Sequence, residues 1–218
     1  MKNTRVTKRI AITLLGLTFL IGCGNTSSDT SDSQGNVSSE TGDSLVNIDE
    51  PTGSNIPYLR ANHTNYKEHG SNATPAPVKD PTARSINWTI AATTEDGAKK
   101  LAEHILFMVR QLEADQNPRG WDKLFLMEAY MKYNKYYTTS IERSATNVVV
   151  SKNATTACAY EVISAHSDAV SGDFFARGAL MVNYSSRAES ILASVACDDV
   201  RESLSSYIVS RQRSGSMM

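Results

Sequence analysis

The chain has 218 residues and a formal net charge of −1, from 22 basic and 23 acidic residues. Four of the bases lie in the first nine positions, which leaves 18 bases against 23 acids in the remainder, a balance that gives no electrostatic footprint for nucleic acid. Length alone admits one or two domains.

The chain opens on a positive segment, Met1 to Arg9, followed by twelve residues without charge, Ile10 to Ile21. Spanning a bilayer core takes about 20 apolar residues. A run of this length fits the apolar region of a secretory signal instead. It closes on Leu20-Ile21-Gly22-Cys23. Here the chain resembles bacterial lipoprotein precursors, over residues 1–22 as the signal peptide and Cys23 as the lipidated residue. The resemblance implies cleavage before Cys23, acyl chains on that cysteine and attachment to a membrane. Each buried CH₂ of such a chain contributes about 0.8 kcal/mol, so several chains hold firmly. Gly24 stands where an Asp would imply retention at the inner membrane. The implied address is therefore the outer membrane facing the periplasm, with exposure at the cell surface as the alternative.

Residues 24–53 hold six acids, no base and no aromatic, among many Ser, Thr and Gly. Such a composition buries too little apolar surface to offset its ordering entropy. Residues 54–85 add prolines but no helical or strand period. The whole of 23–85 reads as a disordered, lipid-anchored linker, about 40–45 Å end to end by random-coil scaling. Asn55 to Arg60 is its clearest apolar patch, either a docking motif or a turn. His63, Glu68 and His69 lack the spacing of a metal motif.

A globular domain is expected over 86–218. Ile86 to Ile90 alternates as a strand. Thr93-Thr94-Glu95-Asp96 offers a cap and acids for a helix over about 94–115, with Ala98, Leu101, Ala102, Ile105, Val109 and Leu112 on one face. His104 falls on its polar side and is expected to be solvated. Asn117-Pro118 breaks the pattern. A second helix, about 119–135, is apolar over a wide arc and is expected to be the most buried one. After Tyr137 the pattern turns to β. Three valines follow Asn147, Cys158, Tyr160 and Val162 alternate, and Phe174 to Tyr184 reads as a longer strand after a turn at Ser171-Gly172-Asp173. Residues 189–196 are ambiguous. Asp198-Asp199 can cap a final helix carrying Val200, Leu204, Tyr207 and Ile208. The fold class is therefore α+β: two N-terminal helices, an antiparallel sheet of about three to five strands, and a C-terminal helix.

Few residues suggest chemistry. Export would place Cys158 and Cys197 in an oxidising space, where a disulfide is the default and free thiols or a partner disulfide the alternatives. His166, with Asp168 and Asp173 near it in the expected turn, has the composition of a base and its orienting acid. No Gly-x-Ser-x-Gly elbow accompanies it. Lys132, Tyr133, Lys135, Tyr136 and Tyr137 interleave bases with aromatics and could stack on sugars or bases. The alternative there is a helix end with tyrosines covering the core. No catalytic residue, metal or cofactor is assigned. The favoured class is a non-enzymatic envelope lipoprotein that binds a protein or cell-wall partner, as an accessory to an envelope, secretion or pilus assembly. A periplasmic hydrolase using His166 and a surface adhesin or antigen are the alternatives.

Overall fold

The structure is a computed structural model and describes residues 44–46, 75–117, 119–175, 177, 179 and 182–215. The segment expected as a signal peptide, Cys23, the Asn55–Arg60 patch and the His63/Glu68/His69 group lie outside the described residues. All described residues belong to the unit Val37–Met218.

The fold is α+β, built on a five-stranded sheet. The strands are β1 (Ser44–Val46), β2 (Val78–Asp80), β3 (Ser85–Ala91), β4 (Tyr137–Arg143) and β5 (Asn147–Ala154), in the order β1-β4-β5-β3-β2. All neighbours are antiparallel except β1, which runs parallel to β4 with Ser44 opposite Ser140. Period-2 alternation sends Ile86, Trp88 and Ile90, Tyr137, Thr139 and Ile141, and Val148, Val150 and Lys152 to one buried face. The opposite face carries mostly short polar side chains such as Asn87, Thr89, Thr138, Ser140, Ser151 and Asn153, open or half-open to solvent.

Helices cover the buried face. The amphipathic α1 (Glu95–Glu113) starts where the Thr94 hydroxyl accepts from the Gly97 amide at 3.0 Å, with Glu95 and Asp96 in the first turn. It stops where Asp115 takes φ 58° and the Gln116 amide donates back to the Gln111 carbonyl, a Schellman closure. Helix α2 (Lys123–Tyr133) is capped by Asp122, whose carboxylate accepts from the Leu124 amide. It is the central helix, with every residue from Leu124 to Lys132 buried. Helices α1 and α3 (Ala157–Ala169) lie against the sheet, α2 packs between them, and α4 (Ser185–Leu192) and α5 (Arg201–Gly215) close the far side of α2. A disulfide joins Cys158 in the first turn of α3 to Cys197 in a short 3₁₀ turn, Val195–Cys197.

Several expectations are corrected. His104 is not solvated; it is 1 % exposed on the packed side of α1. Residues 158–162 are helix, not strand. Thr156 caps α3 through the Ala159 amide, and Ala157, Ala159, Ala165 and Ala169 are strong helix formers, so the alternation of Cys158, Tyr160 and Val162 is incidental. Helix α3 runs on into a π-helical turn, Val170–Phe175, and no strand occurs among the described residues up to Tyr184. Phe174 and Tyr184 are buried instead by stacking near Phe125. The ambiguous 189–196 segment divides between α4 and the 3₁₀ turn. The strands also reach back into the segment expected as linker: β1 pairs with β4 and β2 with β3 through the backbone, and in β2 Val78 is 71 % exposed.

Candidate functional site

Two constellations stand out, one sealed and one open. The sealed one forms where α2, α3 and the sheet meet. Glu128 sits on α2 at 1 % exposure. Lys152 occupies an inward position of β5, in line with Val148 and Val150. His166, expected in a turn, lies on the last turns of α3 and is 12 % exposed at its side chain. Glu128 Oε1 receives Lys152 Nζ at 2.5 Å and the Tyr137 hydroxyl at 3.0 Å, while Oε2 lies 2.7 Å from His166 Nε2. Lys152 Nζ also lies 3.4 Å from His166 Nδ1.

These contacts fix the protons. A carboxylate at Nε2 requires that nitrogen to carry the hydrogen, and an ammonium at Nδ1 requires that one to accept. The ring is then a neutral imidazole bridging one anion and one cation. Burial, the largest influence, works against the Glu128 charge, but His166 and Lys152 outweigh it and hold the carboxyl well below the usual range. Burial lowers the His166 pKa, with Lys152 and Arg119 assisting against Glu128. Phe125 meets the imidazole edge-on at 4.6 Å. Lys152, Tyr137 and His166 thus meet the buried Glu128 carboxylate from β5, β4 and α3. Asp168 does not orient His166; it pairs on the surface with Lys79 and Arg187 at 2.6 Å each. Asp173 receives the Tyr184 hydroxyl and Arg177.

Arg119 seals the neighbouring corner. Its guanidinium lies 4.4 Å from the Trp121 ring centre, 4.3 Å from Phe125 and 5.0 Å from Phe174. It donates to the Val182 carbonyl at 2.7 Å and pairs with the fully buried Asp122.

The open constellation is the end of α2. The five-residue run of bases and aromatics does not stay together. Asn134 ends the helix, Lys135 takes φ 60°, and the Tyr136 amide returns to the Met131 carbonyl at 2.9 Å. This reversal sends Lys132 and Tyr137 inward, at 4 % and 2 % exposure, and they leave the expected interaction surface. Lys132 pairs with Glu113 and reaches the Thr139 hydroxyl; Tyr137 serves Glu128. Tyr133, 51 % exposed, and Lys135 stay outside, and Tyr136 is half-buried beside them. Tyr136 stacks on Tyr130 at 6.1 Å, and Tyr130 meets Tyr207 of α5 edge-on at 5.4 Å. The Tyr207 hydroxyl donates to Asp115, and its pKa is pushed up to about 12 by burial with Tyr133 adding to it. Arg211 covers the Tyr207 ring and pairs with Asp115.

Sequence reasoning missed Glu128, Lys152, Arg119 and Asp122. The signal was present for two of them. Glu128 stands inside the apolar stretch Leu124–Met131, and Lys152 continues the inward alternation of Val148 and Val150. Among the described residues no group of three or more His, Cys, Asp or Glu is placed to hold a metal ion, and no helix is long and apolar enough to cross a membrane. No known protein family, no curated protein and no solved structure matches the chain.

Proposed function

We propose that this chain is a lipid-anchored lipoprotein of the cell envelope whose folded part is an interaction module rather than an enzyme, and that it docks through the corner formed by Tyr133, Lys135 and Tyr136. The observation that carries the reading is the division of that aromatic-basic run. Tyr133 and Lys135 stand outside the core with Tyr136 packed at its edge, while His166 lies in the interior against Glu128. The lipobox Leu20-Ile21-Gly22-Cys23 supports the anchor. The Cys158–Cys197 bridge suits the oxidising side of a membrane, and Gly24 favours the outer one.

The reading is tested in cells with a photo-crosslinking residue in place of Tyr133, and a second at Asn87 on the polar sheet face as control. A discrete adduct from position 133 that position 87 does not give is the expected result. Equal labelling from both, or none from position 133, would remove the docking surface. The mass of the membrane-bound protein, wild type against Cys23→Ala, tests the anchor separately.

A further inference from the structure

We propose that the Tyr133–Lys135–Tyr136 corner binds a carboxylate-bearing glycan of the cell wall, with sugar rings on the tyrosine faces and carboxylates on Lys135 and Arg84. The proposal rests on the envelope reading above and names the ligand of that same surface.

The corner offers both kinds of group that such a polymer needs. Tyr133 shows half of its surface to solvent, and Tyr136 is fixed in plane by its stack on Tyr130, tilted 29°. The electron-rich face of a tyrosine attracts the weakly positive C–H face of a pyranose. A ring already held in place loses little rotamer entropy on binding. Arg84 joins the corner through a short chain of bonds. Its Nη1 donates to the Thr155 carbonyl at 2.8 Å, and the Thr155 amide and hydroxyl both donate to the Tyr136 carbonyl, at 2.9 and 3.0 Å.

The corner also offers two cations. Among the described residues neither Lys135 nor Arg84 is in an ion pair. Of the acids nearby, Asp115 is taken by Arg211 and Tyr207, and Asp80 accepts from the Thr82 and Ala83 amides of the turn before Arg84. Lys135 and Arg84 both sit in the left-handed backbone region, φ 60° and 52°, where a non-glycine residue costs about 1–2 kcal/mol. Lys135 is held there by the Schellman closure of α2. Arg84 ends the β2–β3 turn, in which the Asp80 carboxylate accepts from the Thr82 and Ala83 amides. The backbone at both cations is therefore set by turn geometry. Two cations neutralise too few phosphates for a nucleic acid, whereas paired rings and paired cations suit a ring polymer with widely spaced carboxylates.

The test is co-sedimentation of the full mature lipidated chain, in detergent micelles, with purified peptidoglycan sacculi. Wild type is expected in the pellet. Tyr133→Ala and Lys135→Glu, both exposed positions, are each expected to weaken binding about tenfold, by analogy with the loss of one stacked ring or one charge contact. Unchanged thermal melting shows that the variants fold. Binding that is absent in wild type, or equal in the variants, overturns the proposal. Displacement by poly-glutamate or by an oligonucleotide at matched charge would show attraction by charge alone and also overturns it. Should sacculi fail while the position-133 crosslink yields a discrete protein adduct, the glycan falls and the interaction reading survives. Failure of both removes both.

Discussion

Glu128 is the residue on which the buried ring turns, because it alone is negative there. Glu128→Gln leaves the Lys152 charge without its partner and should cost about 3–5 kcal/mol, read as a lower midpoint in urea unfolding. Converting Glu128 and Lys152 together to Met, with His166→Phe, should recover most of that loss, since a well-packed apolar set of similar volume often matches a buried ion pair. The same ring sets an acid limit. His166 is held below its ordinary 6.5 in the folded chain, so the unfolded chain binds the proton first. Stability is then complete above pH 6.5 and declines as pH falls through the window between 6.5 and the folded value. Glu128, also lowered, adds a loss of the same sign below 4.5. His166→Gln should flatten the slope just below pH 6.5, followed by unfolding at stepped pH; an unchanged slope would place the titration elsewhere. His166 itself was visible in the sequence as a candidate, but with the wrong partner. Its neighbours in the chain, Asp168 and Asp173, face outward or toward Tyr184, and the residues that meet it come from 38 and 14 positions away. Sequence proximity has no power to find a pairing made by the packing of a helix on a sheet.

Among the elements, those with strong local signals were legible and those defined by packing were not. Helix α1 carries its cap, its acids and its stripe in sequence, and α2 its apolar arc. Helix α3 is ambiguous in sequence because Cys158, Tyr160 and Val162 satisfy a two-residue period while Cys158, Val162 and Ala165 satisfy a helical one equally well; the Thr156 cap and the alanines decide for the helix. The turn at Lys135 was not legible, since a lysine gives no sign that it will adopt φ 60°. That turn yields a clean expectation. Lys135→Gly should raise stability by about 0.5 kcal/mol, the relief of the left-handed cost less the extra entropy of glycine. It should still weaken any anionic ligand, so a melting curve and a binding curve would move in opposite senses. The disulfide supports α3 from its other end. Its loop, with a sequence separation of 39, contributes roughly 4 kcal/mol in the chain-entropy model. Cys158→Ser should lower stability by about that amount, and reductant should do the same to wild type but nothing further to the variant.

At the scale of the whole molecule the class and a sheet covered by helices on one face were readable, and the strand order was not. Periods of 2 and 3.6 residues identify strands and helices, which suffices for α+β, but the sheet's order depends on β4 and on two edge strands of three residues each, too short to show a period. The result is a one-sided sheet, with helices on the face that holds Lys152 and Tyr137. The Cys158–Cys197 bridge divides this molecule in one further respect, its response to tension. A chain tethered by its N-terminus and pulled from its C-terminus can lengthen only along covalent paths that are free to straighten. The residues between the two cysteines lie off that path. The oxidised chain should therefore extend short of the reduced one by roughly 130 Å, at about 3.3–3.6 Å for each residue of a separation of 39. An optical trap would read the difference directly, and it makes the bridge a mechanical stop that leaves α3 and the 3₁₀ turn joined after the sheet has given way.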